Sequence, residues 1–362
     1  MRTVGVEEEL LLVDPDSGDP KALAAAVLAR AAHDDPGQDV FEPELFGQML
    51  EFATHPQAEM TDLGEEIVRC RKEAARHAGQ IGSAVAALAT SPLPVSPSLT
   101  VNDRYLWLAD RYGVGTRDQL VCGCHVHVSV ESDEEGVAVL DRLRPWLPAL
   151  TAISGNSPFW QGHDTNYRSY RSRVWSRWPS AGPTELFGSP ERYHRRVADM
   201  VATGVILDEA MAYFDARLSA SYPTVELRVA DVCLYAEDAL LIATLARGLV
   251  ETAARDWRAG RPAPDHSVSL LRLASWQAAR SGLDGDLLDP HTLRPRPAGQ
   301  VLRSLLDHIG DALDDSGDGA RAEKGVEELL RRGTGAREQR RLLEQSGSLR
   351  DVVTECVRHT QG

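Results

Sequence analysis

Apolar and polar positions alternate strictly in three separated stretches of this chain. In residues 121–130, VCGCHVHVSV, Cys122, Cys124, Val126 and Val128 share one parity, and Gly123, His125, His127 and Ser129 share the other. Successive side chains of a strand point to opposite faces, so the pattern predicts a strand with two imidazoles turned away from the core. Residues 4–13, VGVEEELLLV, set Glu7 and Glu9 against Val4, Val6, Leu10 and Leu12. Glu8 falls on the apolar parity, which demands a cationic partner or a local bulge. Residues 223–232, PTVELRVADV, place Thr224, Glu226, Arg228 and Ala230 opposite Val225, Leu227 and Val229. With residues 213–218 they predict an antiparallel hairpin turning at residues 220–223. A further strand is expected over residues 48–54, with Glu51 on the side of Met49 and Ala53.

Helical spacing dominates elsewhere. Residues 21–33 are alanine-rich. Over residues 62–88, Leu63, Ile67, Cys70, Ala74, Ile81, Val85 and Leu88 recur with helical period behind an Asp62–Glu65 capping-box pattern. Helices are predicted at residues 103–112, stopped by Gly113, at 135–153, kinked or divided by Pro145 and Pro148, and at 190–202 and 237–257. From about residue 260 the chain reads as mostly helical and charged, with 314–320, DDSGDGA, as a surface loop. No internal repeat and no flexible linker marks a clear domain boundary.

Composition narrows the function classes. A chain of 362 residues with 43% hydrophobic content can bury one large core or two ordinary ones. Its net charge of −15 argues against a nucleic-acid partner, since phosphate backbones are met by a cationic footprint. No apolar run suits a bilayer and the start lacks signal-peptide character, so a cytoplasmic protein without membrane attachment is expected. The five cysteines, Cys70, Cys122, Cys124, Cys233 and Cys356, are scattered and odd in number, unlike a disulfide framework. Cys122 and Cys124 turn away from His125 and His127, which argues against zinc.

Taken singly, each polar group has a plain structural reading: a solvated Glu-x-Glu face, a satisfied histidine, a Glu226–Arg228 ion pair. Taken together, Glu7, Glu9, Glu51, His125, His127 and Glu226 come from four strands and share the open face. That many carboxylates repel one another unless cations lie between them, and oxygen-rich ligands with one or two imidazoles suit Mg2+ or Mn2+. Residues 155–190 add Arg168, Arg171, Arg173 and Arg177 among Trp160, Tyr167, Tyr170, Trp175 and Trp178. Guanidiniums match phosphate and carboxylate, and aromatic faces can hold a base or a substrate stem; the bland alternative is surface ion pairing around a secondary core. Glycine-rich phosphate loops, dinucleotide fingerprints, the Gly-x-Ser-x-Gly elbow and His-Glu-x-x-His are missing. The residues therefore read as a metal–nucleotide site built on a sheet.

Those stretches, GVEEELLLV, MLEFAT, CGCHVHV, NSPFWQGHDTNYRSYRSRVWSRWP and YPTVELRVADV, together resemble the type 2 glutamate–cysteine ligases, in particular their carboxylate–amine ligase subgroup, over nearly the whole chain. The resemblance implies an α+β, glutamine-synthetase-like fold, a mainly antiparallel curved sheet with helices on its convex face, forming a single ligase catalytic domain over residues 1–362. It implies ATP and Mg2+ (or Mn2+) as cofactors, and an acyl phosphate made from a carboxylate, typically the glutamate side chain, that an amine then attacks. Weak glutamate–cysteine ligation is the family default. Glu7, Glu9, Glu51, His125 and Glu226 match its metal ligands and Arg228 a phosphate-facing arginine. Arg171 and Arg173 are expected beside Arg228 in catalysis, and Arg177, Tyr170 and His127 are expected at the cofactor. Residues 156–179 are the expected lid, and a homo-oligomer is compatible with the resemblance. The partners implied are small molecules. Open alternatives are a phosphotransferase of the same fold acting on a guanidino or carboxyl group, a non-catalytic nucleotide or metal sensor, and, more distantly, a metal-dependent hydrolase.

Overall fold

Strand β1 (Val4–Val13) is the axis of the sheet in the computed structural model, which describes residues 1–34 and 40–361. Its partners are β3 (Met49–Ala53) and β5 (Gly123–Ser129), with β4 (Ala84–Ala86) beside its far end. β2 (Phe41–Pro43) extends the sheet past β3, and β9 (Thr224–Asp231) then β8 (Ala216–Leu218) extend it past β5. β6 (Phe159–Trp160) and β7 (His163–Asp164) form a separate hairpin. All pairings within the large sheet are antiparallel. The register sets Glu9 opposite Glu51, Glu7 opposite His125, and Glu226 opposite both His127 and Arg217. Directly opposed residues on one face lie about 5 Å apart, so these pairings carry groups distant in sequence into one place.

The other face is covered by the helices Met60–Gln80, Asp133–Leu143, Leu147–Ser154 and Ala236–Arg258. Val4, Val6, Cys124, Val126, Val128, Val225 and Leu227 pack there against Leu63, Ile67, Val137, Leu140, Leu245 and Leu249, all buried. Each such side chain contributes about 1.5–3 kcal/mol by leaving water. Glu8, on this apolar parity, meets the cation that its position demands. Arg71 Nε and Nη2 each donate to it at 2.7 Å, and both residues are buried.

Several boundaries differ from those read off the pattern. The helix predicted over 62–88 ends at Gln80; the chain turns at Gly82 (φ 72°) and Val85 enters β4. Apolar residues continue across this break because strand and helix pack into one core, which masks the change of period. Glu59, not Asp62, sits at its N-cap, without a side-chain cap bond. The helix predicted over 135–153 is divided into Asp133–Leu143 and Leu147–Ser154, with Pro145 between them and Pro148 in the first turn of the second. The 314–320 loop is a tighter joint: Ala298–Ser316 is helical, Gly317 closes it with φ 75°, and the next helix starts at Gly319. Asp318 there is buried and paired with Arg247. Helices Asp103–Tyr112 and Pro190–Ala202 fall where predicted, each begun by a side-chain cap, Asn102 or Ser189. In β9 the alternation fails at Ala230. Val126 pairs with Leu227 and Cys124 with Ala230, so a bulge adds one residue, and Ala230 joins the core while Asp231 turns to the opposite face.

Candidate active site

The face turned away from the covering helices holds a cluster that the register builds. Three sets of ligand atoms lie within 4.8 Å of one another: Glu7, His127 and Glu226; Glu7, Glu51 and His125; and Glu9, Glu44 and Glu51. Glu7 and Glu51 join the three sets into one row. Glu7 Oε2 is 3.2 Å from His125 Nδ1 and its Oε1 is 3.2 Å from His127 Nε2. Glu226 is gripped by Arg217, whose Nε lies 2.6 Å from Oε2, and by Arg228. Glu9 is buried and accepts the Gly123 N–H at 2.5 Å. Glu7, Glu44, Glu51, His125, His127 and Glu226 line a cavity of about 400 Å3.

The electrostatics match a cation-binding row. Burial pushes Glu51 well above the usual carboxylate range, and Glu44, Glu7 and Glu9 push it further. Burial and Glu44 raise Glu9 to about 7, against the pull of Arg171. Glu7 is held low because hydrogen bonds from His125 and His127 outweigh its burial. Glu226 is held at about 2 because Arg228 and Arg217 overcome the same penalty. Burial and then Arg228 lower His125 to about 4, so its imidazole is neutral at physiological pH. His125 Nε2 is buried without a hydrogen-bond partner, and His127 Nε2 has Glu7 Oε1 beside it at 3.2 Å. An orphaned imidazole nitrogen facing carboxylates that cannot all ionise side by side is a donor that fits divalent cations.

The arginine-rich segment divides. Arg171 is buried against the backbone of Gly123, where any Cβ would collide with its guanidinium, and Trp175 lies beside both Arg171 and Arg228 at 5.5 and 5.6 Å. Arg171, Arg173, Arg177 and Arg228 line a second cavity of about 470 Å3, walled by Trp175, Trp178 and Trp276. Arg228 belongs to both cavities. Arg177 also pairs with Asp118 at 3.2 Å. Arg168 is directed away, to Asp284 at 2.8 Å. Tyr170, expected at the nucleotide, packs instead against Trp160 and Tyr167 and lines neither cavity. His127 stands among the candidate metal ligands. The expected lid is anchored in its first half: Asp231 accepts from Asn156 N–H at 2.9 Å, Ser157 Oγ at 2.6 Å and Ser169 Oγ at 2.7 Å, and all four residues are buried.

Sequence reasoning missed Glu44, Arg217 and Asp231. Glu44 lies outside any regular strand, so parity could not place it, although its seven-residue spacing from Glu51 across a short turn was visible. Asp231 was hidden by the β9 bulge. Arg217 stood in the predicted hairpin, where its pairing with Glu226 followed from a register that only the turn length sets.

Known proteins resemble this chain in both sequence and fold. The glutamate-cysteine ligase family 2 profile matches residues 3–355. A Streptomyces avermitilis protein provisionally named glutamate–cysteine ligase 2-1 is 74% identical over 362 residues, covering both chains completely. A Paenarthrobacter aurescens protein of the same provisional name is 48% identical, covering 99% of this chain and 95% of its own. Among solved structures, the glutamate–cysteine ligase of Francisella tularensis in complex with AMP has a TM-score of 0.69 at 13% identity, covering 100% of this chain and 89% of its own. The bifunctional glutathione synthetase of Pasteurella multocida reaches 0.72 at 17% identity, covering 99% and 52%. These two likenesses show the glutamine-synthetase-like fold, an open antiparallel sheet with helices on one face. No helix among the described residues is long and apolar enough to cross a membrane. With the profile spanning nearly its whole length, the chain belongs to glutamate-cysteine ligase family 2 and is an ATP-dependent carbon–nitrogen ligase.

Proposed function

We propose that this ligase phosphorylates the side-chain carboxylate of glutamate with ATP and joins the resulting acyl phosphate to an amine, within one catalytic unit spanning residues 1–362. The observation that carries the reading is the position of Arg228 between two cavities, one rich in carboxylate and imidazole, the other in guanidinium and aromatic rings. Glu7, Glu9, Glu44, Glu51, His125, His127 and Glu226 would hold Mg2+ or Mn2+. Such ions, when bound, offset the charge of the phosphates during transfer. Arg228 holds the transferring phosphoryl group from the opposite side, its guanidinium fixed by Glu226 and Trp175. Arg171 and Arg173 face the second cavity, where substrate carboxylates are met by bidentate donors. The aromatic wall of Trp175 and buried Trp178 limits the access of water to the acyl phosphate.

The test is ADP release with Mg2+, glutamate and a panel of amines, with mass spectrometry for new amides. Glu9→Gln and Glu226→Gln are expected to abolish ADP release while circular dichroism stays unchanged. Undiminished turnover would remove those residues from the site. A stable phosphorylated product with no amide would replace the ligase reading with a phosphotransferase.

A further inference from the structure

The second cavity has an uneven charge. Five guanidiniums line it, those of Arg171, Arg173, Arg177, Arg228 and Arg272, and among the described residues it has one carboxylate, Asp215. The backbone of Asp215 is fixed on both sides: its N–H donates to Gly182 O at 3.1 Å, and its carbonyl accepts from Arg228 N–H at 3.0 Å. The residue is half-buried; its carboxylate has no hydrogen-bond partner among the described residues, and the charge it feels is chiefly that of Arg272. At the mouth, Leu273 and Trp276 are 57% and 40% exposed, an apolar rim on the same helix turn as Arg272.

An amine acceptor reaches this cavity as an ammonium ion, which five guanidiniums repel and which is no nucleophile until it loses a proton. We propose that Asp215 draws the acceptor's ammonium into the cavity and takes its proton. On the same geometry the acceptor is an amino acid with an apolar side chain, its carboxylate met by Arg272 and its side chain laid along Trp276 and Leu273. The inference rests on the ligase reading and adds the acceptor and the base to it. The ammonium gives one proton to Asp215, and the nitrogen lone pair forms the C–N bond. The bond from the carbonyl carbon to the bridging phosphate oxygen breaks, with its electron pair leaving on phosphate. The second proton lost from nitrogen leaves with the phosphate. Burial pushes the Asp215 carboxyl up to about 7, with Arg272 opposing, which suits a base acting near neutrality.

The experiment supplies ATP, glutamate and Mg2+ with two kinds of acceptor: hydroxylamine, which is uncharged at the assay pH, and phenylalanine, leucine or methionine. Hydroxamate and ADP from the wild type report the acyl phosphate; if neither forms, the ligase reading fails and this inference falls with it. If they form, Asp215→Asn is expected to lower the ratio of amide to hydroxamate by about 10²-fold or more at neutral pH, with partial recovery as pH rises. Arg272→Gln is expected to raise KM for phenylalanine at least tenfold with little change for 2-phenylethylamine. An unchanged ratio in Asp215→Asn, a loss of both branches that Asp215→Glu does not reverse, or hydroxamate without amide from all three amino acids would overturn the proposal while leaving the ligase reading intact.

Discussion

Arg71 donates four hydrogen bonds inside the protein: two to Glu8, one to Leu234 O at 3.0 Å and one to Cys233 O at 2.7 Å. A single side chain thereby ties β1 and the helix Met60–Gln80 to the loop that follows β9. Removing one partner leaves the other charge buried and unpaired, which costs about 3–5 kcal/mol. Glu8→Gln or Arg71→Met alone should lose that much in guanidinium chloride unfolding, and Glu8→Leu with Arg71→Met should recover most of it. An undiminished loss in the double variant would show that the backbone carbonyls, not the ion pair, need Arg71. Asp289 makes a second prediction. Its burial raises its carboxyl, but bonds from Arg296, Thr292 and His291 prevail and hold it at about 2, below the usual 3.8. A depressed carboxylate contributes stability that is present above its unfolded value and lost as pH falls through the folded one. Asp289→Asn should therefore flatten the stability profile between about pH 4 and pH 2 and leave its shape near neutrality unchanged.

At the scale of elements, glycine and register decide how the site is assembled. Gly123 begins β5 where the guanidinium of Arg171, on the short helix Arg171–Trp175, lies flat against the strand. Gly123→Ala should displace Arg171, lowering kcat/KM for ADP release at least about tenfold, or 1.4 kcal/mol. The same overpacking should cost about 1–3 kcal/mol of stability. Adding Arg171→Ala should restore the melting temperature without the activity; restoration of both would show that Arg171 has no part in the reaction. The bulge in β9 acts in the same way as this close approach. It leaves Arg228 on the face that simple alternation gives it and turns Asp231 toward Ser157 and Ser169, so one inserted residue supplies the anchor of the 156–171 segment. Neither event leaves a mark in a period-2 pattern, because a bulge shifts parity without changing residue type.

For the molecule as a whole, a net charge of −15 and a row of closely set carboxylates predict that divalent cations add to its stability. An ion that binds the folded row stabilises it by mass action, by about 2.7 kcal/mol at a hundredfold excess over Kd, and so raises the melting temperature. Mg2+ or Mn2+ should give such a rise, Glu51→Gln should abolish it, and NaCl at matched ionic strength should not reproduce it. An equal effect of NaCl would mean that general screening of the acidic surface suffices. Side-chain direction was legible in the sequence because it depends on local geometry: two residues per strand repeat set which of Glu7, Glu9, His125 and Glu226 look the same way, and left Glu8 in need of a cation or a bulge, a need that Arg71 meets. The family likeness was legible for a related reason, since four of its five motifs are these same strand patterns. Distances between elements were not. Whether Glu44 reaches Glu51, whether Arg168 turns to Asp284 while Arg171 turns inward, and whether Asp215 shares a cavity with Arg272 depend on register, a bulge and loop closure. Those are settled by contacts between residues tens to hundreds of positions apart, which only the packed tertiary structure brings within reach.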